Sequence, residues 1–182
     1  MKLLVFSDLH GSAPAARRIA DLARQRRPDY LVCLGDILYH GPRNPLPPGY
    51  DPARAAEALA PLAGRILAVR GNCDSDVDAM VLPFPLAREL IWILDDGLRI
   101  CASHGHLFSP QALPPLAGGD VFLFGHIHTP MAETSAQGIH LCNPGSLVLP
   151  KDGHPASYGW FEQCVFSVCA ATGEVYLRLR CM

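Results

Sequence analysis

The first apolar stretch of the chain ends abruptly at an acid and a histidine. Polar residues that can bind a metal also follow several later apolar stretches. Residues 3–6 are four consecutive apolar side chains, which predicts a strand over 2–7 that is covered on both faces. Asp8 and His10 follow directly. In open α/β sheets this edge is where ligands bind, and an oxygen and a nitrogen ligand two residues apart can reach one metal ion. Taken alone, the pair also fits another interpretation, an Asp that caps the next helix beside a surface His.

A second strand repeats the pattern. Apolar residues at helical spacing predict a helix over 13–25 with Ser12 as its N-cap, and residues 30–34 read as a buried strand that ends near Asp36. A strand, helix and strand in succession predict a parallel pair with a right-handed crossover. We therefore expect Asp36 at the same sheet edge as Asp8 and His10.

A third strand delivers an amide to that edge. Residues 37–52 hold too many prolines and glycines for a regular element, which predicts an ordered loop over the strand ends. A helix over 52–62 and a strand over 65–69 follow, and the strand runs into Asn72. A chance scatter of polar residues would rarely place three groups in this way.

The second half of the chain changes its pattern. After a short helix over 76–80, a hairpin signal at 95–97 joins predicted strands over 87–94 and 98–103, and the latter runs into His104. A strand over 121–124 runs into His126 and His128. The remaining predicted strands are 131–135, 138–142, 159–170 and 174–179. This half should be mainly antiparallel, so the fold class is α/β: a layered αββα sandwich with two mixed β-sheets flanked by helices, in a single domain over 1–182.

Composition narrows the function classes. With 182 residues the chain suits one domain, and a net charge of −2 gives no basic field for a stable nucleic-acid partner. No stretch reaches 18 apolar residues, so we expect no membrane span. Seven cysteines, odd in number and without a Cys-x-x-Cys pair, favour free thiols in a reducing cytoplasm.

The polar residues at strand ends form an oxygen-and-nitrogen ligand set. They are Asp8, His10, Asp36, Asn72, His104, His126 and His128. A set without thiolate suits Mn²⁺, Fe, Ni²⁺ or Zn²⁺ better than Ca²⁺. Seven side chains are too many for one open ion but enough for two ions that share a carboxylate, about 3.5–4 Å apart. Two divalent ions, two carboxylates and a hydroxide leave a charge of about +1, which should attract phosphate oxygens.

The order of the blocks Asp-x-His, Gly-Asp, Gly-Asn, His-Gly and Gly-His-x-His resembles the calcineurin-like metallophosphoesterase superfamily. The resemblance runs from Lys2 to about Asn143. It is stronger to the small bacterial phosphodiesterases of the YfcE type, through four further segments. These segments are 40–44 (His-Gly-Pro-Arg-Asn), 71–74 (Gly-Asn-Cys-Asp), 105–108 (Gly-His-Leu-Phe) and 143–146 (Asn-Pro-Gly-Ser).

The resemblance implies a ligand assignment and a reaction. One metal would be bound by Asp8, His10, Asp36 and His128, and the other by Asp36, Asn72, His104 and His126. The bridge would be Asp36, because an anionic carboxylate can span two cations. The expected cofactors are two divalent ions, with Mn²⁺ ranked first. The expected reaction is hydrolysis of a small-molecule phosphodiester by a metal-bridging hydroxide.

The chain departs from the wider superfamily at Cys73, where many members have a histidine that is thought to act on the leaving group. A thiol with a pKa of ~8.5 is a poor proton donor at neutral pH. We therefore consider His40 and His106 as groups that supply the proton or orient the phosphate, against the alternative that both are structural or surface residues.

Three side chains are candidates for contact with phosphate oxygens. Arg43 and Arg70 could bind as a fork, and Asn44 lies beside Arg43 in the loop over the strand ends. For Arg43 and Asn44, the alternative is a surface loop whose side chains face water. Arg70 is equally suited to pair with Asp74 or Asp76.

Three functional alternatives follow. The first is the two-metal phosphodiesterase, the second a phosphomonoesterase on the same site, and the third a catalytically silent scaffold like the vacuolar-sorting relatives in the retromer coat. A metallo-β-lactamase-type site is excluded, because Thr129, Pro130 and Met131 follow His128 where that family needs an acid and a histidine. The apolar C-terminal strands also offer an edge or a face for a homo-oligomer.

Overall fold

The computed structural model describes residues 1–87 and 89–182. The helices are α1 (Ala13–Arg26), α2 (Pro52–Leu59) and α3 (Asp76–Val81), and a 3₁₀ turn (Ala60–Arg65) extends α2. The first six strands are β1 (Lys2–Phe6), β2 (Tyr30–Cys33), β3 (Ile66–Val69), β4 (Leu86–Ala87), β5 (Leu90–Asp95) and β6 (Leu98–Ser103). The other six are β7 (Val121–Leu123), β8 (Met131–Thr134), β9 (His140–Asn143), β10 (Ser157–Glu162), β11 (Val165–Ala170) and β12 (Val175–Arg180).

Two mixed sheets form the molecule. The first has seven strands in the order β12-β11-β10-β1-β2-β3-β4, and its β1 to β4 run parallel while β10 to β12 continue it antiparallel. The second has five strands in the order β5-β6-β7-β9-β8, with a parallel centre of β6, β7 and β9. The carboxyl ends of β1, β2, β3, β6 and β7 carry all seven predicted metal ligands.

Alternation along β1 explains how the layers pack. Leu4 and Phe6 point towards α1 and α2, whereas Leu3 and Val5 point into the layer between the sheets. All four side chains are at most 1% exposed, which accounts for the unbroken apolar run that the sequence shows there.

The outer face of the second sheet is covered by the segment 104–120. Phe122 and Phe124 stack with ring centroids 5.2 Å apart and pack against Phe108, Leu113 and Leu116 of that segment. The predicted α/β fold with two mixed sheets is thus confirmed, and its helical cover lies over the first sheet.

One predicted strand is in fact a hairpin. The stretch predicted as a single strand over 159–170 is divided into β10 and β11, which pair antiparallel with Glu162 opposite Val165. The two turn residues, Gln163 and Cys164, have left-handed backbones with φ of 51° and 56°. A two-residue hairpin turn of this kind usually carries Asn or Gly, so this prediction was wrong because the usual turn residues are absent.

Among the other boundaries, two predicted elements differ most from the structure. The helix predicted over 52–62 ends at Leu59, and its last turns are 3₁₀. The strand predicted over 87–94 corresponds to β4 and β5, and its residue 88 lies outside the described residues.

The cysteines are free thiols in this structure. Cys73 and Cys164 are partly exposed, and the other five are buried. In the described part of the chain, no helix has the length and apolar character needed to cross a membrane.

The hairpin turn generates a prediction about stability. Replacing Gln163 by Asn should raise the free energy of unfolding by about 0.5–1 kcal/mol, because Asn tolerates the left-handed backbone that Gln adopts at a cost. Urea unfolding followed by circular dichroism measures this change. Gln137→Asn, in an exposed turn position without a positive φ, is the matched control and should change nothing. An unchanged or lower midpoint for Gln163→Asn alone would contradict the prediction.

Candidate metal centre

The seven predicted ligands lie together at one edge where the two sheets meet. The first sheet supplies Asp8 and His10 after β1, Asp36 after β2 and Asn72 after β3. The second sheet supplies His104 after β6, and His126 and His128 after β7. Two donor groups result, and they share the space around Asp36.

The first donor group surrounds a buried carboxylate oxygen that lacks a partner. Asp8 Oδ1 lies 3.2 Å from His128 Nε2 and 3.7 Å from His10 Nε2, and the two imidazole nitrogens are 3.3 Å apart. Within the described residues, no hydrogen bond of acceptable geometry reaches Asp8 Oδ1, and the Asp8 side chain is fully buried. A buried carboxylate oxygen without a partner is costly in an apolar interior, and a divalent cation would compensate it. The residues present therefore fit a metal ion.

The second donor group extends from Asp36 to the imidazoles of the second sheet. Asp36 Oδ2 lies 3.5 Å from His104 Nε2 and 3.9 Å from His10 Nε2, so the same oxygen faces both groups. His104 Nε2 is also 3.0 Å from Asn72 Oδ1 and 3.2 Å from His126 Nδ1. This placement of Asp36 is the one a bridging carboxylate requires.

Backbone carbonyls set the orientation of three imidazoles. In each ring Nδ1–H donates to a carbonyl oxygen, which leaves Nε2 as the free lone pair that faces the site. The pairs are His10 with Tyr39 O (2.9 Å), His104 with Leu34 O (2.7 Å) and His128 with Leu149 O (2.8 Å). His126 is the exception, because it presents Nδ1 to the centre.

Five of the seven residues have a left-handed backbone. Their φ angles are 57° at Asp8, 46° at His10, 55° at Asp36, 66° at His126 and 61° at His128. A residue other than glycine adopts this conformation at a cost of order 1–3 kcal/mol, and it persists where the surroundings impose it. At Asp8, His10 and Asp36, backbone bonds between the turns after β1 and β2 impose it: the N–H groups of Asp8 and His10 donate to the carbonyls of Gly35 and Asp36.

A buried carboxylate that the sequence analysis did not assign to the site holds the turns after β2 and β3. Asp74 Oδ2 accepts from the N–H groups of Asp36 (2.8 Å) and Gly71 (2.7 Å), and Asp74 Oδ1 accepts from Ile37 N–H (2.8 Å). Burial raises the pKa of Asp74, while these backbone bonds lower it. Its only sequence signal was its place in the Gly-Asn-Cys-Asp block.

The Asn-Pro-Gly-Ser turn fixes the site from the other side. Asn143 Nδ2 donates to Gly125 O (2.9 Å), just before the His126 turn, and Ser146 Oγ donates to Asp8 O (3.3 Å). Both side chains are fully buried. The turn therefore joins the strand ends of the two sheets rather than contacting a ligand.

The electrostatics of the first group follow from burial and close imidazoles. Burial raises the pKa of Asp8, but His128 and His104 more than offset this effect and hold the pKa at about 2. Burial lowers the pKa of His128, and the adjacent Asp8 carboxylate raises it above its ordinary value. The Asp8 carboxylate is thus held in its anionic form, which is the form that binds a cation.

An open cleft of about 870 Å³ lies over the centre. Of the predicted substrate contacts, Arg43 and Asn44 line this cleft, and Asn44 Nδ2 is 3.4 Å from His10 Nε2. Arg70 does not line it: its guanidinium pairs with Asp76 (2.9 Å) and donates to Asp74 O (2.8 Å), which is the alternative that the sequence analysis had left open. Lys151 also lines the cleft and was missed, because no motif surrounds it in the sequence.

The three candidates for action on the leaving group differ in position. Cys73 lines the cleft, and burial followed by the Asp36 carboxylate raises the pKa of its thiol to about 12. His106 is exposed beside the second donor group, with its ring centroid 5.3 Å from that of His104. His40 stacks on Tyr39 at 4.9 Å, and neither His40 nor His106 lines the cleft.

Comparison with known proteins places the chain among phosphoesterases. The family model described as the calcineurin-like phosphoesterase superfamily domain matches residues 1–164. The phosphodiesterase YfcE of Escherichia coli K12 is 49% identical over 174 residues, which are 96% of this chain and 94% of that protein. A solved structure of YfcE, a phosphoesterase from E. coli, has a TM-score of 0.97 at 45% identity and covers 100% of both chains.

A more distant structure shares the fold alone. Vps29 from Entamoeba histolytica, solved as a complex with zinc, has a TM-score of 0.64 at 20% identity and covers 98% of both chains.

The close approach at Gly71 predicts a loss of metal binding on substitution. A Cβ at this position would lie 2.1 Å from Asp36 Oδ1 and 2.5 Å from the Asp36 backbone nitrogen, so Gly71→Ala must displace the shared carboxylate. We expect metal content after dialysis against Mn²⁺ to fall by at least one ion per chain, measured by plasma mass spectrometry. Gly64→Ala, which meets nothing within 4 Å, is the matched control. Full metal content in a folded Gly71→Ala protein would refute this account of the turn.

The three bonds to Asp74 predict both instability and a distorted site. Asp74→Asn replaces one accepting oxygen by an NH₂ group that faces backbone N–H donors, so the free energy of unfolding should fall by about 2–3 kcal/mol. Chemical denaturation measures this change. Asp76→Asn, an exposed carboxylate in a surface ion pair, should cost less than about 1 kcal/mol. Equal effects of the two substitutions would show that the buried carboxylate is not needed.

Proposed function

The chain belongs to the calcineurin-like phosphoesterase superfamily, and we propose that it is a metal-dependent phosphodiesterase that uses a two-metal site to hydrolyse a small phosphodiester. The observation that carries the proposal is the doubled donor set around Asp36, whose Oδ2 lies 3.5 Å from His104 and 3.9 Å from His10. A single ion would leave half of these buried donors without a role.

The proposed ligands are divided between two ions as the donor groups suggest. The first ion is held by Asp8, His10, Asp36 and His128, and the second by Asp36, Asn72, His104 and His126. We propose Mn²⁺ as the native ion, with Fe, Ni²⁺ and Zn²⁺ as ions that the same donors accept. Bound divalent ions supply Lewis-acid activation of water and neutralise charge that develops on the phosphoryl group.

The chain's own side chains complete the site around the phosphate. The Asn72 side chain presents its Oδ1 to the second donor group and donates through Nδ2 to Cys73 Sγ at 3.3 Å, which fixes its orientation. Asn44, beside His10 and in the cleft lining, is placed to donate to a phosphate oxygen.

Cys73 is a poor general acid in this setting. A thiol whose pKa is raised to about 12 remains protonated at neutral pH but yields its proton reluctantly. Diesters with good leaving groups should therefore react fastest. His106 is the better placed of the two remaining imidazoles, since its ring lies beside His104 and His126.

We also propose a cytoplasmic location. The support is the seven free thiols, including buried pairs such as Cys142 and Cys181 in one core layer, which suit a reducing compartment.

Hydrolysis assays test the proposed reaction. Metal-stripped protein should be inactive towards bis-p-nitrophenyl phosphate, gain activity with Mn²⁺ and lose about 100-fold or more in Asn72→Ala, because a ligand of the second ion is removed. Absorbance of p-nitrophenolate measures the rate, and p-nitrophenyl phosphate measures monoesterase activity in parallel. Faster turnover of the monoester, lost alone in Arg43→Ala, would favour a phosphomonoesterase. No turnover of either substrate despite bound Mn²⁺ would favour a scaffold.

The role of His106 predicts a dependence on the leaving group. His106→Ala should lower kcat by about tenfold or more for a phenyl ester and by less for a p-nitrophenyl ester, because the poorer leaving group needs more assistance. The steady-state rates of matched diesters measure the difference. His40→Ala removes a ring that stacks on Tyr39 and not on a predicted metal ligand, and should show equal effects on both esters. A uniform effect in His106→Ala would refute assistance to the leaving group.

A further inference from the structure

The cleft is larger than the reacting phosphoryl group requires. Its volume of about 870 Å³ falls in the range of sites that enclose whole organic ligands. Tyr39, Pro42, Pro45 and Ile127 contribute apolar surface to its walls. The space beside the metal centre can therefore hold an organic substituent of the size of a nucleoside.

Two cations in this cleft have no ion-pair partner among the described residues. The side chains of Arg43 and Lys151 both line it, and neither takes part in a salt bridge or a side-chain hydrogen bond in the described part of the chain. Asp152, the acid next to Lys151, accepts instead from Thr129 Oγ1 at 2.8 Å. The two positive charges thus remain available to a ligand.

Both cations belong to segments that contact the first donor group. Arg43 precedes Asn44, whose Nδ2 is 3.4 Å from His10 Nε2, and Lys151 N–H donates to His128 O at 3.4 Å. His10 and His128 belong to the first donor group. Near the second donor group the cleft is lined by the neutral side chains of Asn72, Cys73 and Ser75. The two cations of the cleft are therefore carried by segments anchored at the first donor group.

The net charge of the proposed metal site is already sufficient for a simple phosphodiester, without the charges of Arg43 and Lys151. Two divalent ions, two carboxylates and a hydroxide leave about +1, which already matches the single negative charge of a phosphodiester. Arg43 and Lys151 add two further positive charges to the same cleft. A substrate with a second oxyanion would offset them wholly or in part.

We propose that Arg43 and Lys151 form a subsite for a second oxyanion, so that the preferred substrate is a phosphodiester that carries an additional phosphate or carboxylate on one substituent. The inference rests on the proposed phosphodiesterase activity and specifies its substrate class. The apolar walls contact the organic part that joins the two anionic groups, and the two cations orient it over the first metal position.

A matched pair of substrates tests the subsite. Thymidine 5′-(p-nitrophenyl phosphate) and its 3′-phosphorylated form share the scissile bond and the reporter, and differ only in the second phosphate. At low ionic strength the Mn²⁺-loaded enzyme should favour the 3′-phosphorylated form in kcat/KM by about tenfold or more, and salt should reduce this preference. In Lys151→Ala and in Arg43→Ala the preference should fall by about fivefold each, and Lys151→Arg should retain it.

The chain offers close controls for these variants. Lys2, the only other lysine, pairs with Glu162 on a remote strand, and Arg178 is exposed on β12. Lys2→Ala and Arg178→Ala should both keep the wild-type preference. Equal losses on both substrates in Lys151→Ala and Arg43→Ala would overturn the proposal, because the cations would then serve the scissile phosphate. No preference in the wild-type enzyme would overturn it as well.

A binding measurement separates this inference from the proposed activity. By calorimetry, thymidine 3′,5′-bisphosphate should bind the Mn²⁺-loaded and the metal-free protein more tightly than thymidine 5′-monophosphate does, and Lys151→Ala should remove the difference. If neither ester is hydrolysed, the proposed function fails, yet the binding preference still decides whether the subsite exists. Equal affinities for the two nucleotides would reject it.

Discussion

The metal centre depends on the hydrogen bonds that one buried carboxylate accepts. Asp74 holds the N–H groups of Asp36, Ile37 and Gly71, and so fixes the turn after β2 against the turn after β3. A left-handed residue such as Asp36 costs of order 1–3 kcal/mol, and hydrogen bonds to a charged acceptor contribute about 1.5–3 kcal/mol each, enough to offset it. Because Asp36 faces both donor groups, the position of Asp74 sets their separation.

The site also requires both sheets. The carboxylates and the amide come from the first sheet, whereas three of the four imidazoles come from the second. The layer between the sheets, which includes Val5, Val32, Ile100 and Leu123, brings these two sets of strand ends together. Asn143 and Ser146 then join them by hydrogen bonds to Gly125 and Asp8. Metal binding should therefore be sensitive to the packing of the core as well as to the ligands.

The sequence predicted the fold class and the set of side chains that meet at the site, since both follow from apolar strands that end in polar residues. It could not predict what depends on contacts between distant segments. The backbone carbonyls that orient His10, His104 and His128 carry no side-chain signal, and the same holds for the left-handed backbones. The turn at Gln163 and Cys164 was missed because neither residue is typical of a left-handed turn. Lys151 was missed because it reaches the cleft through a loop that packs on His128 only in the folded chain.

Because Cys73 is a weak proton donor, the selection of the substrate in the proposed reaction depends on residues outside the metal centre. In the proposed reaction a thiol with a pKa of about 12 would give little help to a leaving group, so the metal centre would select phosphodiesters by the quality of the leaving group and not by the rest of the molecule. Discrimination among such esters then depends on the cleft walls, to which the loop 39–45 and the segment around Lys151 contribute along with Ile127. Substitutions in the loops can alter the choice of substrate without disturbing the turns that Asp74 and Asn143 hold, because no ligand is positioned by the side chains of Arg43 or Lys151.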